Sequence, residues 1–417
     1  MSSPCLFVRA PEQVSVHPRI LTISPSKANR LFAPRRRVFM QSRRTFALWL
    51  FLFCLISPLA LTQVYKVTDL GPLAPTAINN WGQVAGNLSG HAFIWTQWGR
   101  LDLGTLAGGT FSSAAAINDF GEVAGTADGP GTVISPEPSI VPNQQCSDLT
   151  QPFVWTPRKG MQGLGGIGYS IFFYSEPSEF CLLPWVATGI NDLGQVVGWT
   201  EGPDQYGYGL LWTSAQGMAI FGGSWAPTQA NGVSNTGAIV GLNSCCGSYP
   251  VTAASWGVTT DLGTPFLTGG ANSSANGVND RGQVVGWSTT TPLNPYEDEG
   301  FIMHAVLWTA GGEILDLGTL PGDTLSAASN INFFGQVIGS SGNTTTMSFF
   351  YSGYQIAVIG HPFIWSQRSG MQDLNTLISA KSGWVLNSAT GINFWGQIVG
   401  SGMRHGKPHG FLLTPKF

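Results

Sequence analysis

Ile78-Asn79-Asn80-Trp81-Gly82-Gln83-Val84-Ala85-Gly86 is a nine-residue word that the chain writes seven times. It returns over residues 117–125 and 190–198, and in looser copies over 233–241, 278–286, 331–339 and 392–400, at intervals averaging about 52 residues. The word reads as strand, tight turn, strand. An Asn accepts local backbone hydrogen bonds, a Gly three residues later takes the positive φ of the corner, and alternating Val and Ile continue as a strand.

Two further words follow in fixed order. The second is aromatic and half-buried in pattern: His91-Ala92-Phe93-Ile94-Trp95-Thr96, with relatives at Phe153-Val154-Trp155, Leu211-Trp212, Ser255-Trp256, His304 to Trp308, His361 to Trp365 and His409 to Thr414. The third is Asp-Leu-Gly, at Asp102, Asp261 and Asp316, with Asp373-Leu374-Asn375 as a close copy and weaker copies around Leu164 and Phe221. Its seventh copy, Asp69-Leu70-Gly71, comes first in the chain.

Four short strands per repeat, seven times, predict an all-β, seven-bladed β-propeller of four-stranded antiparallel blades. Residues 63–417 open with a lone outer strand and close with the first three strands of the last repeat. Pairing of that N-terminal strand with the last blade closes the ring, whereas an open solenoid leaves both edges bare.

The three words resemble the bacterial HAF-type extracellular repeat family, whose name matches His91-Ala92-Phe93. The likeness runs from about Val64 to Leu413. It implies an exported, propeller-like repeat protein and no defined chemistry. Ser234 stands where the repeat has Asn, and Gly163 and Ile220 where it has Asp, so those copies are expected to be less regular. Kelch-type propellers are alike only in blade length.

Residues 1–62 form a separate, basic leader with nine Lys or Arg and one acid, Glu12. Arg43-Arg44 precede an apolar run from Trp49 to Ile56 and then Pro58-Leu59-Ala60. This is the order of a signal peptide, and the paired Arg matches a twin-arginine export signal. Met40, just before it, is an alternative start. The apolar run is short for a membrane span, which needs about 20 residues. The expected location is outside the cytoplasm, with membrane contact only through the leader.

Of the chain's 19 basic and 22 acidic residues, 10 and 21 fall in residues 63–417, a formal net charge of −11. An acidic body is a poor match for phosphate backbones, so nucleic acid is not an expected partner.

Strands alternate in direction, so the long connections 126–151, 199–209, 288–303, 340–360, 166–187 and 376–388 share one face. Loops on a rigid scaffold commonly carry recognition. The candidate ligand-binding residues there are Tyr174, Trp185, Tyr206, Tyr208, Tyr296, Tyr351, Tyr354 and Trp384, whose flat rings suit a glycan or a protein partner. The opposing reading packs these rings onto the blades.

No catalytic constellation emerges. His91, His304 and His361 occupy one repeat position, and a position used once per blade is structural before it is catalytic. The Asp of the third word reads as holding a turn. The repeated Asn-Asp turns lack the ligand run of a calcium loop. Loop acids such as Glu201 with Asp204, or Glu297 to Glu299, leave a polysaccharide-acting hydrolase or lyase open. Cys146 and Cys181 are a candidate disulfide in an oxidising compartment. No metal or cofactor is expected. The sequence therefore points to a monomeric, exported, non-enzymatic binding or scaffold module for glycan or protein. The alternatives are an enzyme on the same scaffold and a purely structural envelope repeat protein.

Overall fold

The computed structural model describes residues 65–129, 133–134, 150–167, 185–201, 207–221, 228–244, 251–256, 272–290, 302–350 and 353–416. They lie in one compact unit, Thr62–Phe417. The fold is an all-β propeller of small antiparallel sheets. The first sheet orders Ala74–Ile78, Val84–Leu88, His91–Thr96 and Gly99–Asp102 from the axis outwards. Six sheets have four strands among the described residues. The copy Thr228–Val233, Ile239–Ser244 and Val251–Trp256 has three, and its expected outer strand at Asp261 lies outside those residues.

The sheet that joins the two ends comprises Trp384–Ile392, Ile398–Arg404, Lys407–Pro415 and, as its outer strand, Tyr65–Gly71. Tyr65 pairs with Pro415, Asp69 with Phe411 and Gly71 with Gly410. One flank of this sheet packs Tyr65, Leu386, Ile398, Phe411 and Leu413 against Ile338, Ile364 and Leu374 of the preceding sheet. The other packs Leu70, Val399 and Leu412 against Leu73, Ile78 and Val84 of the first. Each such side chain, taken out of water, contributes about 1.5–3 kcal/mol.

A β-bulge sits at one place in every inner strand. The register slips at Pro75/Ala77, Ala114/Ala116, Ala187/Gly189, Ala230/Gly232, Ala275/Gly277, Ala328/Asn330 and Ala389/Gly391. Opposite each slip is the Gly that ends the first word. A Cβ built on Gly125 would lie 2.1 Å from the Ser113 carbonyl oxygen, and one on Gly241 1.8 Å from that of Gln229. Only Gly lets the bulged backbone come that close.

The connection 340–360, read above as a loop, is mostly a hairpin arm. Val337–Phe350 and Gly353–Ser366 run as paired 14-residue strands with one register shift at Gly342/Thr344. A Thr-rich run followed by aromatic and β-branched residues favours strand once its partner is antiparallel and adjacent.

The second and third words are latched together. His91 Nδ1 lies 3.0 Å from Asp102, His304 Nδ1 2.9 Å from Asp316 and His409 Nδ1 2.8 Å from Asp69. Each Asp also accepts the N–H of the Gly two residues on, at 2.8 Å, where the chain turns with φ near +70°. In the sixth sheet His361 instead lies 3.9 Å from Asp323, and Asp373 caps the short 3-10 turn Leu374–Leu377. Burial raises the Asp69, Asp102 and Asp316 carboxyls, but bonds from the paired His and the Gly N–H outweigh it, with Arg404 adding to Asp69. All three end below the usual carboxylate value.

A carboxyl lowered on folding stabilises the fold above its unfolded pKa and loses that contribution as pH falls through the folded value. Thermal melts should therefore hold from neutrality to about pH 4 and drop steeply below it. Asp102→Asn with Asp316→Asn should lower the melting temperature at pH 6 and flatten the acid decline. An unchanged acid limb in that variant would assign the decline to other carboxylates.

Candidate functional site

The seven Asn-type turns converge on one mouth at the axis. Residues from all seven copies line a cavity of about 220 Å³ there. Below it a second cavity is lined by inner-strand residues of the same seven copies. Three layers of side chains tie neighbouring sheets together around this axis.

The deepest layer belongs to the bulged residues. Thr188 Oγ1 donates to the Ala230 carbonyl of the next sheet at 2.7 Å, and Asn231 Nδ2 to Ala275 at 2.9 Å. Asn276, Ser329 and Thr390 reach Ala328, Ala389 and Pro75 in the same way.

The middle layer is the first Asn of the word. Asn79 is buried, and its amide uses all four of its bonding positions. Oδ1 accepts from the N–H groups of Trp81 and Gln83, at 3.1 and 3.0 Å. Nδ2 donates to Gln83 Oε1 at 2.7 Å and to the Asn118 carbonyl of the next sheet at 2.9 Å. The cross-sheet link recurs from Asn118 to Asn191, Asn191 to Ser234, Asn279 to Asn332, Asn332 to Asn393 and Asn393 back to Asn79. It fails at Ser234, whose hydroxyl pairs with Thr236 Oγ1.

The outermost layer is the residue after that Asn. The Asn80 N–H donates to Asp119 at 2.8 Å, Asp119 to Asp192 at 2.8 Å, Asp192 to Asn235 at 2.8 Å and Asn235 to Asp280 at 2.7 Å. The Phe394 N–H donates to Asn80 Oδ1 at 2.8 Å. Burial first, then the nearby Asp119 and Asp280 charges, hold the Asp192 carboxyl above its usual value. Around the rim stand exposed side chains at the turn tips: Trp81 at 78%, Phe120 at 69%, Leu193 at 67%, Phe334 at 58% and Trp395 at 60%.

The residues expected on the opposite face are placed differently. Trp185 is 3% exposed and lies within the strand Trp185–Ile190, so it has no open ring face. Trp384 is half-buried and packs edge-on against Phe411 and His409. Tyr208 is half-buried at the start of the strand Gly207–Thr213. Tyr354 falls in the strand Gly353–Ser366. Tyr174, Tyr206, Tyr296 and Tyr351 lie outside the described residues, as do Cys146, Cys181, Asp204 and Glu297 to Glu299. Among the described residues no group of three His, Cys, Asp or Glu is placed to hold a metal ion. No helix among them is long and apolar enough to cross a membrane.

The turn-tip rings were not singled out from the sequence. Their signal was present: the residue before the turn Gly reads Trp81, Phe120, Leu193, Phe334 and Trp395, apolar in five of seven copies at a position a tight turn exposes.

No family model and no curated protein matches the chain. Solved structures match across most of its length. A chain of the mitotic checkpoint complex is 12% identical, with 86% of this chain and 97% of that one covered and a TM-score of 0.38. The extracellular domain of a putative one-component system from B. thetaiotaomicron is 9% identical, covering 85% and 40%, with a TM-score of 0.41. A gluconolactonase from Xanthomonas campestris is 9% identical, covering 85% and 91%, with a TM-score of 0.32. Likeness at this level carries nothing about function.

The middle layer makes a stability prediction. Asn118→Ala removes the amide oxygen that accepts both capping N–H groups of its turn, and the cross-sheet bond to the Asn191 carbonyl, which keeps only the Gly194 N–H; the expected loss is about 2–3 kcal/mol in denaturant melts. Ser234→Asn supplies the missing link to Asn279 and should add about 1 kcal/mol. A neutral Asn118→Ala would show that water replaces the amide.

Proposed function

We propose that the chain is an exported, seven-bladed propeller that works as a non-enzymatic binding module and takes its ligand on the face where the Asn turns meet. The observation that carries this reading is the set of exposed rings at the turn tips, Trp81, Phe120, Phe334 and Trp395, each next in the chain to a residue that lines the axial mouth. Large apolar side chains are costly to leave in water, and a rigid array of them beside convergent polar groups is the usual make-up of a recognition site. Seven inner strands lining one channel support seven blades. The His–Asp pairs support the non-enzymatic reading. They recur in three sheets, and each Asp is already engaged by a turn N–H.

Binding is checked by interferometry of the purified protein against soluble polysaccharides and folded envelope proteins. Trp81→Ala with Trp395→Ala should weaken the interaction at least tenfold, since each ring contributes on the order of 0.5–1.5 kcal/mol beyond its area. Tyr208→Ala, on the opposite face, should leave it unchanged. The reverse pattern would move recognition to the long-loop face.

Export rests on the leader. With Arg43→Lys and Arg44→Lys, cell fractionation should find the protein retained in the cytoplasm. Continued export of that variant would remove the twin-arginine route.

A further inference from the structure

The outermost axial layer is incomplete on one arc. In five junctions the N–H of the residue after the Asn donates to the side chain of the equivalent residue in the next sheet. At the remaining two junctions the next residue is Phe333 or Phe394, which has no acceptor. The N–H groups of Asp280 and Phe333 therefore sit at equivalent positions on the mouth without a partner among the described residues.

That arc also carries an aromatic platform. The Phe333 and Phe394 ring centroids are 5.7 Å apart, Phe334 and Phe394 4.7 Å, and Phe394 and Trp395 5.1 Å. Phe333 and Phe334 are exposed, at 42% and 58%. Beside the gap stands Asp280, and beyond it Asp192 and Asp119, whose charges are felt at one another.

We infer that this arc is a binding subsite for a neutral saccharide, which deepens the binding-module reading and rests on it. A sugar ring has an apolar CH face for the Phe platform. Its hydroxyls accept from the two free N–H groups and donate to the Asp280 carboxylate. The chemistry excludes simpler occupants. An ammonium group suits carboxylates and aromatic faces but has no acceptor for the N–H donors. An anion suits the donors but meets three carboxylates on a body of net charge −11. The cavity of about 220 Å³ takes a chain end or a single unit, not a threaded polymer.

The test uses cellotetraose, maltotetraose and tetra-N-acetylchitotetraose as probes in calorimetric titrations of the whole protein. At least one should bind the wild type. Phe333→Asn with Phe394→Asn restores the repeat's own side chain, so it fills the vacant acceptor positions while removing the platform. That variant should lose at least tenfold in affinity with a melting temperature equal to or above the wild type. Trp98→Ala, an exposed ring at the outer hairpin of the first sheet, should bind within twofold of the wild type. Hydrogen exchange supplies a second readout: the bound probe should slow exchange in peptides spanning 278–284 and 331–337. Wild-type affinity in the double Asn variant overturns the subsite. If Trp81→Ala with Trp395→Ala still weakens binding, the module reading survives it. Binding of none of the three probes, or capture at this arc of a peptide instead, overturns the saccharide assignment.

Discussion

A buried primary amide has to place two donors and two acceptor positions, and any position left empty costs about as much as the burial of a small side chain provides. The ring of Asn side chains meets that demand by spanning two sheets at once. Two acceptor bonds and one donor bond fix the amide within its own turn, and the last N–H crosses to the next sheet. The turn cannot relax without breaking the seam, and the seam cannot open without unpairing the turn. Because Asn393 returns to Asn79, this coupling runs across the junction of the chain's two ends. The pairing of Tyr65–Gly71 with Lys407–Pro415 closes the periphery of the same junction.

Propellers taper towards the axis, so inner strands must approach more closely than outer ones. In every sheet the bulge in the inner strand brings a carbonyl of that strand against the Gly opposite it, a contact within the sheet that a Cβ would forbid. The extra residue turns its side chain to the neighbouring sheet, where Thr, Asn or Ser donates to the carbonyl of the residue just before that sheet's own bulge. Ala115 has no donor, and Thr76 bonds only within its own sheet. On that side Asn87 takes over the link, accepting from the Ala114 N–H at 2.7 Å and donating to its carbonyl at 3.3 Å.

The three words were enough to read strand order, the outer-strand closure and the turn role of the third-word Asp. Each depends on local chemistry: an Asx turn, a positive-φ Gly, an alternating strand. The axial layers were not legible, because they depend on which side chains a closed ring brings within 3 Å of the next sheet. Thr188, Asn231 and Thr390 look like ordinary strand residues until the bulge redirects them. Nor was the outer end of the sixth sheet legible, since a Thr-rich stretch such as Thr344-Thr345-Thr346 reads as loop until a partner strand is beside it. The aromatic residues assigned to the long-loop face included Trp185 and Trp384, which pack into the sheets. Composition marks a ring as large and flat but not which side of a pleat it occupies.

The nine-residue word also divides its positions by what the ring requires of them. Its second residue is Asn in six of seven copies and its fifth is Gly in all seven, for these set the seam and the corner. The third and fourth residues lie at the mouth, outside both demands, and there the copies diverge into Asn, Asp and Phe, and into Trp, Phe, Leu, Thr and Arg. Divergence at the third position has a definite physical result. Where it keeps an Asx side chain the neighbouring N–H is satisfied internally, and where it becomes Phe the donor is released to the solvent. A repeat that is uniform at its seam and asymmetric at its rim is how a pseudo-symmetric ring acquires a single oriented site. The break in the outermost layer, not the ring itself, gives this propeller a direction.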